Sequence, residues 1–395
     1  MELFDYLKLI APPFLVSLIA VGIIHPYIVK IAKIKGIVDA PNARKLQKEP
    51  VPVLGGTAVF FGIFMSLSIA NALAVCSGLY VLMSVMLLML YLGTIDDILD
   101  LRAVVRLVIQ IIGTLILVYL GGGHYIIDSM LGLWGIYVLP QWVAVLLTMF
   151  AIVGIVNAIN LVDGVDGLCS GFGVMAGIIF LVAFLYVGDY TMVILCASLI
   201  GALILFFFHN VFGLRTKMFI GDGGTLVMGI VVAACVVRLI HTVSLQQGPA
   251  PVNEWASVIP FTLAVLSIPV FDTLRVMSTR ILKGKSPFHP DKTHLHHMFI
   301  ELGFSHVLTT AGILTLNLWG VVVWALLYFN GVSADIQAVV VLLVGFASTF
   351  GLYYTVQWFR RRTPDAYARV VDFIHSKQPR RDGWFLTMQK IVDKI

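Results

Sequence analysis

Residues 140–168 read PQWVAVLLTMFAIVGIVNAINLVDGVDGL. The first part, through Val156, is apolar enough to begin crossing a bilayer as a helix, since about 20 such residues span a hydrocarbon core of roughly 30 Å. That run ends in Asn157, Asn160, Asp163 and Asp166, polar residues on a three-residue spacing. In a helix they would share one face, and Gly164 and Gly167 would let the backbone turn or a ligand come close. Asparagine and aspartate oxygens are hard ligands suited to Mg²⁺, which takes one or two protein oxygens and completes its shell with phosphate and water. A pair of Asx turns ending a helix explains one such residue well and four poorly.

The rest of the chain repeats the apolar pattern. Of 395 residues 59% are hydrophobic and only 12% charged, against roughly 25% charged in soluble proteins, and the mean hydropathy is +0.98. Backbone amides in lipid must be paired internally, so helices are expected, and the alternating segments of a transmembrane barrel are not visible. The fold class is therefore an all-α integral membrane protein, a polytopic bundle of about eleven transmembrane helices. The expected spans are residues 9–31, 53–75, 79–95, 104–120, 141–158, 172–187, 191–208, 225–244, 258–281, 308–329 and 337–359. The first has too long a core and too poor a basic flank, Lys8 alone, for a signal peptide. Cys76, Cys169, Cys196 and Cys235 lack CxxC spacing, which disfavours a disulfide framework or a zinc site and suits small core residues.

Of the 26 lysines and arginines only Lys8 and Arg238 fall on the side of the N-terminus. The positive-inside rule then puts the N-terminus in the periplasm and the C-terminus in the cytoplasm. On this assignment all the dense polar loops face the cytoplasm, and the opposite face carries little that is ionisable. Residues 1–359 form the transmembrane domain. Residues 360–395 form a basic cytoplasmic amphipathic tail that suits an anionic leaflet, or equally a solvated segment.

Four further constellations lie on that face. Asp96, Asp97 and Asp100 form DDILD at the end of the third span. Adjacent carboxylates repel, so at least one needs a cation, a donor or a raised pKa. FIGDGGT, residues 219–225, sets Asp222 among glycines just before the eighth span, where free amides could approach an anion or Asp222 could simply cap the helix. Phe219 beside it is a stacking platform for a base or an ordinary interfacial aromatic. HPDKTHLHH contains His289, Asp291, Lys292, His294, His296 and His297; histidines so grouped could ligate zinc or donate to a phosphate. Arg44, Lys45 and Lys48 precede VPVLGG and serve an anionic headgroup or the topology signal alone.

Carboxylates for a divalent metal, glycines near a phosphate and cationic donors on an apolar bundle imply a polyanion handled at a membrane face. Phosphoryl transfer involving a lipid explains this set. A transporter of an anionic substrate would place its acids at the midplane, whereas these cluster at span ends. A scaffold gives no reason for them.

The ordered motifs DAPNARK, PVPVLGG, DDILD, NAINLVDGVDGL, FIGDGG and THLHH resemble those of the polyprenyl-phosphate N-acetylhexosamine-1-phosphate transferases, over roughly residues 20–300. The CDP-alcohol phosphatidyltransferases share DxxDG, but the Ala-Arg pair and later paired aspartates of that class are absent. The resemblance implies an Mg²⁺-dependent transfer, with Mn²⁺ as a substitute, of a sugar 1-phosphate from a UDP-N-acetyl-sugar to polyprenyl phosphate, releasing UMP. It would act on the cytoplasmic face of the inner membrane as the first membrane step of an envelope polysaccharide pathway. It admits a homodimer and gives no role to nucleic acid.

By the same resemblance Asp222 and Asn160 match metal ligands, and Asp96 and Asp97 match a catalytic pair of which one is proposed as a base. Phe219 sits where an aromatic meets uracil, with Asp163 and Asp166 near the nucleotide. Arg44, Lys45, Lys48, His294, His296 and His297 match substrate contacts. THLHH looks more like the N-acetylglucosamine branch than the phospho-N-acetylmuramoyl-pentapeptide branch, and Gln47 stands where relatives often have His.

Overall fold

The computed structural model describes residues 3–39, 50–73, 79–246, 255–287, 291–378 and 383–394. The first half holds α1 (Leu3–Lys35), a short hairpin of β1 (Val38–Asp39) and β2 (Val51–Pro52), α2 (Gly55–Leu73), α3 (Leu79–Leu99), α4 (Ala103–Leu120) and α5 (Gln141–Val162). Then come α6 (Leu168–Val187), α7 (Tyr190–Phe212), α8 (Gly221–Leu245), α9 (Val258–Val265), α10 (Ser267–Leu282) and α11 (Leu295–Glu301). The chain continues through α12 (His306–Phe329) and α13 (Ala334–Phe346), which runs through a π turn (Ala347–Gly351) into α14 (Leu352–Arg362). It finishes with α15 (Pro364–Ser376) and α16 (Trp384–Val392).

Among the described residues, α1, α3 to α8, α12 and the α13–α14 run are long and apolar enough to cross a membrane, and α2 is a shorter apolar helix. The protein is a polytopic all-α membrane protein. Against the eleven spans expected, nine helices among the described residues are long enough, or ten if α9 and α10 together make one crossing, and residues 258–281 are not one unbroken helix. α9 and α10 meet at 70°.

The break has a local cause and a distant remedy. Pro269 has no N–H to offer the carbonyl four residues back, that of Val265. Asn317 of α12 donates its Nδ2 to that carbonyl at 2.9 Å, and its Oδ1 accepts the Ile268 N–H at 3.0 Å. Freed backbone groups at membrane depth are tolerated where a neighbour satisfies them in this way.

α8 is the axis of the bundle. It is buried almost all round, as expected of a helix apolar on every face, and α2, α3, α5, α6 and α9 pack about it. A Cβ on Gly56 of α2 would run into the backbone of Gly223 and Gly224, and one on Gly93 of α3 into that of Asp222 and Gly223. Small residues thus let three backbones meet at the first turn of α8, where Asp222 sits.

Two regions hold contacts beyond those the sequence shows. At the end of the bundle remote from Asp222, Arg238 pairs with Asp189 at 2.7 Å and His241 Nδ1 lies 3.5 Å from Asp128. The tail is not merely an exposed strip. Trp384 and Phe385 of α16 pack on Phe212 of α7, with ring centroids 5.5 and 5.2 Å apart, and Gln378 donates to the Gly303 carbonyl. Apolar residues on one face of α16 find an aromatic end of α7 to cover.

Candidate functional site

The site starts from a backbone seam between PVPVLGG and FIGDGG. The Phe219 N–H donates to Pro52 O at 2.8 Å, the Gly55 N–H to Phe219 O at 3.0 Å and the Gly56 N–H to Ile220 O at 2.7 Å. Gly221 then takes φ +68°, which glycine adopts without a side-chain penalty, and α8 begins.

A helix start leaves its first amides unpaired and carries partial positive charge. Asp97, reaching across from α3, answers both. Its Oδ1 accepts the Asp222 N–H at 3.0 Å and its Oδ2 the Gly223 N–H at 3.4 Å. Asp97 thereby caps the first turn of α8 with both of its oxygens.

Asp96 points elsewhere. Its side chain is 3% exposed; Oδ1 accepts the Leu101 N–H at 2.8 Å and Oδ2 lies 2.5 Å from Arg106 Nη1. The same guanidinium nitrogen stands 3.8 Å from Asp222 Oδ2. From the last turn of α5, Asn160 Nδ2 donates to Asp222 Oδ1 at 2.8 Å and to Thr225 Oγ1 at 2.7 Å. Asp222 is therefore a carboxylate 34% exposed, fixed on one oxygen by Asn160 and faced on the other by Arg106.

The donor chemistry fits Mg²⁺. An open carboxylate oxygen lies beside an asparagine whose amide nitrogen is spent on Asp222, leaving its carbonyl oxygen without a described donor. Two hard protein oxygens are what this ion commonly takes. Among the described residues no three His, Cys, Asp or Glu side chains converge as a cage, the arrangement that zinc bound by the histidines would require.

The four polar residues of NAINLVDGVDGL separate in function. Asn157 does not end a helix: it lies inside α5 and donates to Gln110 Oε1 of α4 at 2.6 Å and to Val153 O at 2.8 Å, tying two helices together. Asp163 closes α5. Its own atoms meet solvent, yet it lies deep among protein mass, and that desolvation, followed by the charges of Asp97 and Asp166, pushes its carboxyl up to about 7. Asp166 is buried and accepts from Lys217 Nζ at 2.7 Å, with His306 Nδ1 at 3.0 Å. Burial would raise its pKa, but the hydrogen bond to His306 and the charge of Lys217 outweigh this and hold it below the ordinary carboxylate range. Asp166 thus anchors neighbouring elements, while Lys217 stands 5.8 Å from the Phe219 ring centroid and ties that half-buried aromatic to the loop.

The histidines reach the same region through a glycine. A Cβ on Gly164 would overlap the His296 ring, so the loop after α5 and the start of α11 touch because residue 164 has no side chain. Burial, then the charges of His297 and His294, drives His296 well below its ordinary pKa, and burial leads the lowering of His297 to about 4. Both are neutral donors or acceptors near neutral pH. His294 is held by Asp272, Nδ1 to Oδ2 at 2.9 Å. Asp272 is paired in turn with the fully buried Arg275 at 2.7 Å, which lies 3.9 Å from the Tyr353 ring centroid. Arg44, Lys45, Lys48 and His289 lie outside the described residues.

The structure therefore brings Asp96, Asp97, Asn160 and Asp222 together at the head of α8, and Asp163, Gly164 and the histidines beside it. A glycosyl transferase family 4 model matches residues 79–240, the stretch from α3 to α8 that carries the Asp222 cluster. An undecaprenyl-phosphate alpha-N-acetylglucosaminyl 1-phosphate transferase of Escherichia coli K12 is 31% identical over 70% of this chain and 72% of its own length. The chain belongs to glycosyl transferase family 4. Decaprenyl-phosphate N-acetylglucosaminephosphotransferases are similar too. That of Mycolicibacterium smegmatis is 29% identical over 84% of each chain, and that of Mycobacterium tuberculosis H37Rv is 31% identical over 69% of this chain and 70% of its own.

Several polar partners in this family 4 site were not among the sequence candidates: Arg106, Lys217, Thr225, Asp272 and His306. Arg106 and Asp272 carried a usable signal, because each is an ionisable residue inside an apolar run. Thr225 and His306 carried none, since their partners lie 65 and 140 residues away in the chain.

Proposed function

We propose that the protein transfers N-acetylglucosamine 1-phosphate from UDP-N-acetylglucosamine to undecaprenyl or another polyprenyl phosphate and releases UMP. The observation that carries this reading is the half-open Asp222 carboxylate at the head of α8, flanked by Asn160 and Arg106. Relatives from three organisms, named for the transfer of this sugar phosphate to a polyprenyl phosphate, support the same reaction.

An acceptor phosphate oxygen forms a bond to the sugar-linked phosphorus of the donor. The bond from that phosphorus to the bridging oxygen breaks, and the oxygen leaves with UMP. Two anions must meet, so alignment and charge neutralisation dominate the barrier. Asp222 and Asn160 would hold Mg²⁺, or Mn²⁺ in its place, which supplies charge compensation across the diphosphate and to the departing UMP.

The chain's own groups do the rest. Arg106, oriented by Asp96, adds fixed positive charge beside the metal ligand. Asp97 sets the first turn of α8 and with it Asp222. Phe219 offers a face to the uracil, Lys217 a positive charge near the phosphates, and neutral His296 and His297 hydrogen bonds to diphosphate or sugar. A protein base is dispensable, because a phosphate monoester with a second pKa of about 6 is already mostly dianionic near neutral pH. We therefore read Asp96 as a positioning residue rather than a base.

The basic loops at the Asp222 end support a cytoplasmic site and an N-terminus outside; with the shorter α2 and the bent α9–α10 pair each taken as a crossing, the inner membrane would be crossed eleven times, with residues 1–359 as the catalytic bundle. Arg44, Lys45 and Lys48 would meet the phosphates from the first loop. Purified protein with Mg²⁺ and undecaprenyl phosphate, offered a panel of UDP-N-acetylhexosamines, should release UMP fastest from UDP-N-acetylglucosamine. Folded protein that releases none from any donor would overturn the reading.

A further inference from the structure

Residues 213–220 carry Lys217 and Phe219, and the loop is gripped from two sides. On the bundle side His25 Nε2 lies 2.8 Å from Thr216 O and His209 Nδ1 lies 3.0 Å from Thr216 Oγ1. Asn210 donates to Met218 O at 3.0 Å and Lys33 to Arg215 O at 2.7 Å. On the outer side a single carboxylate oxygen, Asp393 Oδ1, accepts the N–H groups of Leu214, Arg215 and Thr216 at 3.0, 3.0 and 3.3 Å. It also accepts Thr216 Oγ1–H at 3.1 Å.

Consecutive amides converging on one point form an anion-binding nest, and here the anion comes from the far end of the chain. Asp393 directly follows α16, whose Trp384 and Phe385 are seated on Phe212 and whose Val392 is buried. Packing of α16 delivers the carboxylate, and the carboxylate orders the loop.

We infer that the C-terminal segment is a working part of the nucleotide end of the site: Asp393, through residues 214–216, is a positioning residue for Lys217 and Phe219. Phe219 is fixed on its other flank by the seam to Pro52, and Lys217 by Asp166. Loosening residues 214–216 therefore releases the approach to both without touching Asp222. The inference rests on the transferase reading for its kinetic consequence, though not for its structural one.

The test uses the full chain in lipid nanodiscs with Asp393→Ala and Asp393→Asn. Hydrogen exchange at the amides of residues 214–216 should quicken about tenfold in Asp393→Ala, the equivalent of one lost charge-assisted hydrogen bond, while exchange along α8 is unchanged. The KM for UDP-N-acetylglucosamine should rise about tenfold with kcat within about twofold. Asp393→Asn, which keeps an accepting oxygen, should recover part of both effects and serves if the alanine variant does not fold. Unchanged exchange at 214–216, or equal loss in kcat and affinity together with a lower melting temperature of the bundle, overturns the inference. If the wild-type chain turns over no UDP-sugar, the transferase reading fails while the exchange measurement still decides the clamp.

Discussion

The contact between Asp96 and Arg106 separates two accounts of a paired aspartate, and a double-mutant cycle measures which holds. The carboxylate is 3% exposed and the guanidinium 35% exposed, at 2.5 Å. A hydrogen bond between charged groups is worth roughly 1.5–3 kcal/mol, and the partly solvated arginine places this one in the lower half of that range. Asp96→Asn and Arg106→Gln should therefore each lower kcat/KM by about 1.5–2 kcal/mol, or roughly 10–30-fold. If Asp96 works by holding Arg106, the double variant should lose no more than either single one, a coupling of about 1.5 kcal/mol. Initial rates of UMP release at saturating acceptor give the four values. Losses that multiply, with a coupling within about 0.5 kcal/mol of zero, would refute the positioning role.

Gly164→Ala drives a Cβ into the His296 ring and should cost about 1–3 kcal/mol of stability by overpacking; a melting temperature and nucleotide KM equal to wild type would count against the contact. Asn317→Leu strands the Val265 carbonyl and the Ile268 N–H, at roughly 1–3 kcal/mol for each unpaired group, and should lower the unfolding midpoint measurably. A midpoint matching wild type would show that Asn317 does not sustain the break. His297 has its folded pKa lowered from 6.5 to about 4, so the unfolded chain takes up the proton first as pH falls. Its contribution to stability is therefore lost between about pH 6.5 and 4, and His297→Gln should flatten the fall in melting temperature across that window. An identical pH slope in the two proteins would contradict the assignment.

Apolar run length was enough to locate the helices, because a chain in lipid must close its hydrogen bonds within each segment. The break between α9 and α10 was not legible. Pro260 and Pro269 in an apolar run are compatible with a kinked or a straight span, and the residue that stabilises the break, Asn317, arrives from another helix. The motifs located the head of α8 correctly, since Asp96, Asp97, Asn160 and Asp222 do meet there, yet their division of labour was hidden. Asp97 as a cap depends on amides 125 residues downstream. Arg106 is the partner that explains Asp96, and its one local signal is that it is an arginine inside an apolar helix. The tail read as an amphipathic strip for want of any local signal that Phe212 would receive α16.

On the proposed function, Asp222 and its neighbours serve transfer of a sugar together with its phosphate to a lipid. UDP-N-acetylglucosamine carrying a radiolabel in its sugar-linked phosphorus, incubated with the protein, undecaprenyl phosphate and Mg²⁺, should deliver that label to the organic-extractable lipid. Asp222→Asn should abolish the transfer while melting like wild type. Label that stays in the aqueous phase, or transfer that survives unchanged in Asp222→Asn, would contradict the account.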